Sequence, residues 1–253
     1  MAVDGIDSNT PFSASLTPLQ DECYKLLKAK QFKSCEILAR MELCKAEQEG
    51  RDARVAWALL GECAQLTQQY CQAICFYRRV QSFGSYKYRL KEAQCLQALG
   101  NVVEASSVLE VIPSDQRTLT IHMTLGHLYL ASGRNASARD CFLESLIKNP
   151  YTFEAIEWLA VLGAEKSQVL DACLRNRDQN LLPVKELISA HFAKHRHQTS
   201  SALQQFTKLE QEFPNNVYLL LRIATLQVSV ACRLHSILVD LCTFSQNIFC
   251  VYC

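Results

Sequence analysis

Five alanines punctuate the chain at a nearly constant interval. Ala73, Ala105, Ala138, Ala172 and Ala202 are separated by 32, 33, 34 and 30 residues. A supersecondary unit repeated at such a spacing cannot bury its apolar face alone, so it stacks on its neighbours into a solenoid. Composition says what the unit is made of. The 253 residues include only 8 Gly and 6 Pro, too few chain reversals for a turn-rich all-β architecture. Apolar residues make up 49% and charged residues 20%, which suits a packed core rather than a disordered chain. The expectation is an all-α protein built of helical hairpins.

A period of about 34 residues is that of the tetratricopeptide repeat, whose pattern runs Trp, Leu, Gly, Tyr, then Ala, Phe and Pro. From Arg54 the chain reads Trp57, Leu60, Gly61, Ala64, Ala73, Tyr77 and Val80. From Leu119 it reads Leu125, Gly126, Tyr129, Ala138, Phe142 and Pro150. A unit from Tyr86 supplies Ala93, Leu96, Ala105, Leu109 and Ile112, with Pro113 arriving early. Another from Pro183 supplies Ala190, Ala193, Ala202, Phe206, Leu209 and Pro214. Small residues are needed where two helices press together, large ones fill the gaps between hairpins, and Pro stops the second helix. The predicted fold is a right-handed superhelical solenoid of tetratricopeptide hairpins.

The same frame divides the chain. Residues 1–15 read as a flexible arm and 16–50 as an N-terminal helical hairpin, with Leu26, Leu27, Ile37, Leu38 and Met41 at helical apolar spacing. The repeat array runs over 54–226, with units near 54–85, 86–118, 119–152, a degenerate 153–182, 183–216 and a partial unit from 217. In the degenerate unit Asn176 stands where an aromatic belongs, and a short second helix is expected over Lys166–Leu174. Residues 227–253 leave the pattern as an apolar, cysteine-rich tail. Because solenoid ends normally carry a polar cap, this end is expected to belong to a shortened or alternatively ended form of a longer array.

Few kinds of chemistry fit. Net charge is +1, so no global basic field argues for nucleic acid. The longest apolar stretch, Val217 to Leu241, is interrupted by Arg222, Gln227, Arg233 and Asp240, so no membrane span is expected. The N-terminus carries Asp4 and Asp7 without an apolar core, unlike a secretory or mitochondrial leader. The 13 cysteines are then expected as reduced, small buried hydrophobes, Cys71 and Cys75 among them. Cys250 and Cys253 have a zinc-like spacing, but Cys232 and Cys242 follow at irregular separations, and the expectation is an apolar tail without metal. No phosphate-cradling loop and no nucleophile–base motif is present. No cofactor and no catalysis are expected.

What remains is binding. On the repeat frame the concave groove is lined from the first helix of each unit, which places Glu62, Gln94, His127, His191 and Lys194 there. His191, Lys194, His195, Arg196 and His197 form the one basic cluster. It reads either as a groove for an acidic segment or terminal carboxylate, or as a solvated helix end with cations favoured by the dipole. The Lys and Asn pair by which chaperone-binding arrays clamp a carboxylate is absent, since Ala58 and Glu62, Leu90 and Gln94, Met123 and His127 hold those places.

A more specific likeness lies between Tyr86 and Val169. Tyr88-Arg89-Leu90-Lys91-Glu92-Ala93-Gln94-Cys95, Ala105 to Leu109, and Ile112-Pro113-Ser114-Asp115-Gln116-Arg117-Thr118 resemble the subunit 7 family of the anaphase-promoting complex (cyclosome). Leu125–Tyr129, Asn149-Pro150, Ala155-Ile156 and Gly163-Ala164-Glu165 continue the likeness. The resemblance implies a non-catalytic scaffold in a nuclear ubiquitin ligase that controls mitotic exit and cell-cycle progression. It also implies partners among the other tetratricopeptide subunits, a homodimer through the N-terminal repeats, and residence in the nucleus with some in the cytoplasm. The alternative is a general tetratricopeptide adaptor that reads an acidic peptide in its groove.

Overall fold

The computed structural model describes residues 17–81, 86–175 and 182–232. Every regular element among them is helical. The chain packs as two compact units, one ending at Arg117 and one beginning at Thr118.

The first unit holds three hairpins: α1 (Pro18–Lys28) with α2 (Phe32–Gln48), α3 (Arg54–Leu66) with α4 (Tyr70–Gln81), and α5 (Lys87–Ala98) with α6 (Val102–Glu110). Each helix packs on the next in order. The start of α1 follows from Thr17 and Gln20, which exchange side-chain and backbone bonds in a capping box, and from Pro18 in the first turn. The α1–α3 core is Cys23, Leu27, Cys35, Ala39, Leu43, Val55, Ala56, Leu59 and Leu60, with Trp57 and Phe76 packed against it. Ile37 and Met41 were expected on the apolar face, and here the structure corrects the sequence. They are 52% and 61% exposed, and α2 buries Cys35, Ala39 and Leu43 instead. Small side chains let α2 approach α1 and α3 closely, and the larger Ile37 and Met41 lie on the far side of the helix.

The second unit holds α7 (Leu119–Ala131) with α8 (Asn135–Lys148), α9 (Phe153–Val161) with α10 (Lys166–Leu174), α11 (Leu182–His195) with α12 (Thr199–Glu212), and α13, which covers 217–232. The short α10 spans the residues expected of it. Within this unit α9 packs on α8 and α11, and α10 on α8, α9 and α11. Leu219 and Leu226 of α13 join the α11–α12 core around Phe206. The helix is unbroken through residues 227–232, where the repeat pattern asks for a turn. Asn176, the 1–15 arm, and Cys242, Cys250 and Cys253 lie outside the described residues.

Several of the repeat-packing residues lie in the core. Ala73, Ala105, Ala138 and Ala202 are fully buried, as are Phe142 and Phe206, and Tyr129 is 6% exposed. Pro150 and Pro214 follow the ends of α8 and α12. Gly61 and Gly126 are held to their identity by rings on the second helix of their own hairpins. A Cβ on Gly61 would lie 2.5 Å from Tyr77 Cε1, and one on Gly126 would lie 2.6 Å from Phe142 Cε1. Each ring reaches forward as well. Tyr77 stacks on Tyr88 at 5.9 Å and Phe142 on Trp158 at 6.4 Å, so one aromatic closes its own hairpin and seats the next.

Candidate functional site

The groove-facing residues singled out from the sequence sit on the first helices of their hairpins, and most are already engaged. In the first unit Lys91 of α5 donates to Glu62 of α3 at 2.5 Å. Gln94, on the same helix as Lys91, is exposed. In the second unit His127 of α7 lies 3.2 Å from Glu154 of α9 and meets Trp158 edge-on at 5.8 Å. These side chains tie one repeat to the next. They are committed before any ligand arrives.

The densest cluster joins three successive first helices. Tyr218 and Arg222 of α13 both donate to the Glu157 carboxylate of α9. His191 of α11 lies between them, its Nε2 at 2.8 Å from the Tyr218 hydroxyl and 3.8 Å from Glu157. The Arg222 guanidinium also lies 4.9 Å over the Tyr218 ring. Since the Tyr218 proton goes to Glu157, the network assigns the other bond to an Nε2–H of neutral His191 donating to the Tyr218 oxygen. Burial pushes the His191 pKa down to about 4, which keeps the ring neutral near pH 7. Burial alone would raise Glu157, but the Tyr218 bond and the Arg222 guanidinium hold it below its ordinary value.

This geometry corrects the groove reading of His191. At 1% exposed it lies beneath Tyr218 and against Phe206, and serves as a packing and hydrogen-bonding residue. Lys194, one turn on, is half-buried, with no ion pair among the described residues. Its pKa is lowered by burial and by Arg222. Glu157, Tyr218 and Arg222 escaped sequence reasoning, which considered each helix alone. A sharper reading would have set the charged positions of successive first helices side by side.

Two other polar joints hold hairpins together in the first unit. The Glu42 carboxylate, 1% exposed, accepts from the Thr17 hydroxyl at 3.0 Å and from Gln20 and Arg51 at 3.2 Å. Glu92, 2% exposed, accepts from Arg78 and Gln81, each at 2.6 Å, and so links α4 to α5. Both supply the paired donors a buried carboxylate requires. Neither places a nucleophile beside a base, and no group of three potential metal ligands occurs among the described residues. Nor is any described helix long and apolar enough to cross a membrane.

Cysteine placement corrects the expectation of buried thiols in part, since Cys44, Cys71, Cys75 and Cys232 are exposed. Cys23, Cys35, Cys63, Cys95, Cys141 and Cys173 are buried, but Cys71 and Cys75, expected in the core, are exposed on α4. The buried face of α4 is Ala73, Ile74, Tyr77 and Val80. Cys71 and Cys75 share one stripe of that helix, and it faces away from the core.

Against known proteins, no protein-family model matches the chain. Three curated relatives do, each named anaphase-promoting complex subunit 7. The Arabidopsis thaliana protein is 26% identical over 161 residues, 60% of this chain and 28% of its own length. The Dictyostelium discoideum protein is 28% identical over 153 residues, 55% of this chain and 26% of its own. The Homo sapiens protein is 28% identical over 154 residues, 59% of this chain and 27% of its own. The chain thus spans about a quarter of the length of the relatives it matches, and the resemblance to that family extends over more than half of the chain. Among solved structures it is similar in fold to the C-terminal part of a tetratricopeptide-repeat protein from Cytophaga hutchinsonii. That match has a TM-score of 0.59 at 12% identity and covers 80% of this chain and 85% of that one. PilF of Pseudomonas aeruginosa is similar at a TM-score of 0.52 and 16% identity, over 83% and 96% of the two chains. At these identities both likenesses concern the fold alone.

Proposed function

We propose that this chain, similar over more than half of its length to subunit 7 of the anaphase-promoting complex, is a non-catalytic tetratricopeptide scaffold of that assembly. In this reading it contributes to a ubiquitin ligase that governs mitotic exit by binding the complex's other tetratricopeptide subunits. The observation that carries the reading is the similarity to three relatives of one name across plant, amoeba and human. The committed state of the groove supports a scaffold over a general peptide adaptor. Glu62, His127 and His191 bind neighbouring helices of their own unit, so an incoming acidic segment would have to displace them.

A homodimer through the N-terminal repeats belongs to the same proposal. The outward face of α2 supports it, because Ile37, Met41 and Cys44 are exposed there beside Arg40 and Lys45. Residence in the nucleus follows from the assembly. The test is affinity capture of the tagged chain from dividing cells with mass spectrometry of what comes with it. Other subunits of the ligase are the expected catch, and chaperones without them would favour the adaptor. Light scattering on the full chain should report a dimer, shifted toward monomer by Met41→Glu.

A further inference from the structure

The Glu157 network takes up His191 and leaves Lys194, His195 and His197 facing a separate cavity of about 270 Å³. Lys194, His195 and His197 line it from the end of α11 and the turn beyond, Thr199 from the first turn of α12, and Thr225 and Leu226 from α13. Among the described residues neither the lysine nor either imidazole is paired with a carboxylate. Glu157, the acid that acts on both Lys194 and His195, is already claimed by Tyr218 and Arg222. Burial and then neighbouring positive charge lower both Lys194 and His195, by Arg222 in the first case and Lys194 in the second. The cavity therefore gathers one ammonium and two imidazole rings in a half-desolvated place with no carboxylate to accept from them. Two of its edges add donors. Thr199 makes no hydroxyl bond of its own, and Gln198 leaves the positive end of α12 without a side-chain cap.

We propose that this cavity binds a phosphate monoester carried on a protein segment, gripped by Lys194, His195 and His197 with the Thr199 hydroxyl. A carboxylate, singly charged, would be matched by Lys194 alone. A phosphorylated serine or threonine carries a charge of about −1.5 to −2 and three strong acceptor oxygens, so one oxygen can meet the ammonium while the others accept from the imidazole N–H groups and the hydroxyl. The net charge of +1 and the confinement of the cations to one cavity do not supply the extended basic stripe a nucleic acid needs. Leu226 on the wall gives apolar contact for the residue beside the phosphate. The inference stands apart from which assembly the chain joins.

The test is fluorescence anisotropy on the full chain at low ionic strength, with a labelled short Gly/Ala peptide bearing one central phosphothreonine. The matched peptides carry threonine or glutamate at that position, and inorganic phosphate serves as competitor. Binding of the phosphopeptide at least about tenfold tighter than either matched peptide is expected, given the worth of hydrogen bonds to charged groups. Lys194→Gln should weaken it by a similar factor with an unchanged melting curve, His195→Gln by less, and Lys194→Arg should restore most of it. Equal affinity for the three peptides overturns the proposal, as does indifference to Lys194→Gln. Binding of inorganic phosphate without the phosphopeptide overturns the protein-segment source.

Discussion

At Gly61 and Gly126 the backbone is ordinary helix, where alanine is by propensity the better residue. The Tyr77 and Phe142 rings reverse that preference, since the added Cβ would meet buried aromatic carbons at 2.5 and 2.6 Å. Gly61→Ala and Gly126→Ala should each lower the denaturant midpoint by an amount equivalent to about 1–3 kcal/mol. Gains there would show that the rings can move aside. His191 carries a second prediction. Its folded pKa of about 4 lies below the free value of 6.5, so above pH 6.5 both states are neutral and stability is intact. As the pH falls from 6.5 toward 4 the unfolded chain takes up the proton first, and stability is lost, on the order of 2–3 kcal/mol. Glu157, held low, adds to the loss at the acid end. Urea midpoints of the second unit's signal across that range should fall, and His191→Gln should begin less stable but fall less steeply. The glycines were legible in the sequence as small residues at fixed places. The neutrality of His191 was not, because it comes from burial under a tyrosine 27 positions on.

The helices themselves follow from periodicity, and their joints follow from something the alternation of apolar residues does not encode. Each turn within a hairpin passes through one left-handed residue: Gly100, Gly133 and Gly163 in three turns, Lys30, Gln68 and His197 in the other three. Only the first three announce themselves by residue type. Gly133→Ala should therefore cost about 1 kcal/mol, and Gln68→Gly should raise stability by up to about 1 kcal/mol, both read from thermal melts. The Gln116-Arg117-Thr118 run acquires a structural meaning at this scale. Arg117 donates to the Ile112 and Glu110 carbonyls at 2.8 and 3.0 Å and so closes the end of α6, and Thr118 caps the start of α7. Arg117→Ala should destabilise the first unit by about 1 kcal/mol. On α2 the sequence misled, because Ile37 and Met41 look like core by hydropathy. The helix turns its small residues inward instead, and which stripe faces the core depends on how closely α1 and α3 approach.

For the molecule as a whole, the cysteines divide by packing rather than by chemistry. Burial raises Cys95 and Cys173 to about 11, which suppresses the reactive thiolate. Brief alkylation of the native chain followed by peptide mass spectrometry should label Cys44, Cys71 and Cys75 first and Cys23, Cys95 and Cys173 last. Early labelling of Cys95 would contradict the packing of α5. The sequence by itself determined the repeat, the hairpin count over 54–216 and the identity of the small and aromatic packing residues. Those depend on spacing along one chain, and spacing is what helical geometry reads. Only the tertiary structure decided which polar side chains remain for a partner. Glu62, His127 and His191 look free on a single helix, and each is taken by a residue 27 to 29 positions away on the next. Pairing across repeats is set by how hairpins stack. That is a property of the packed core, and no single helix contains it.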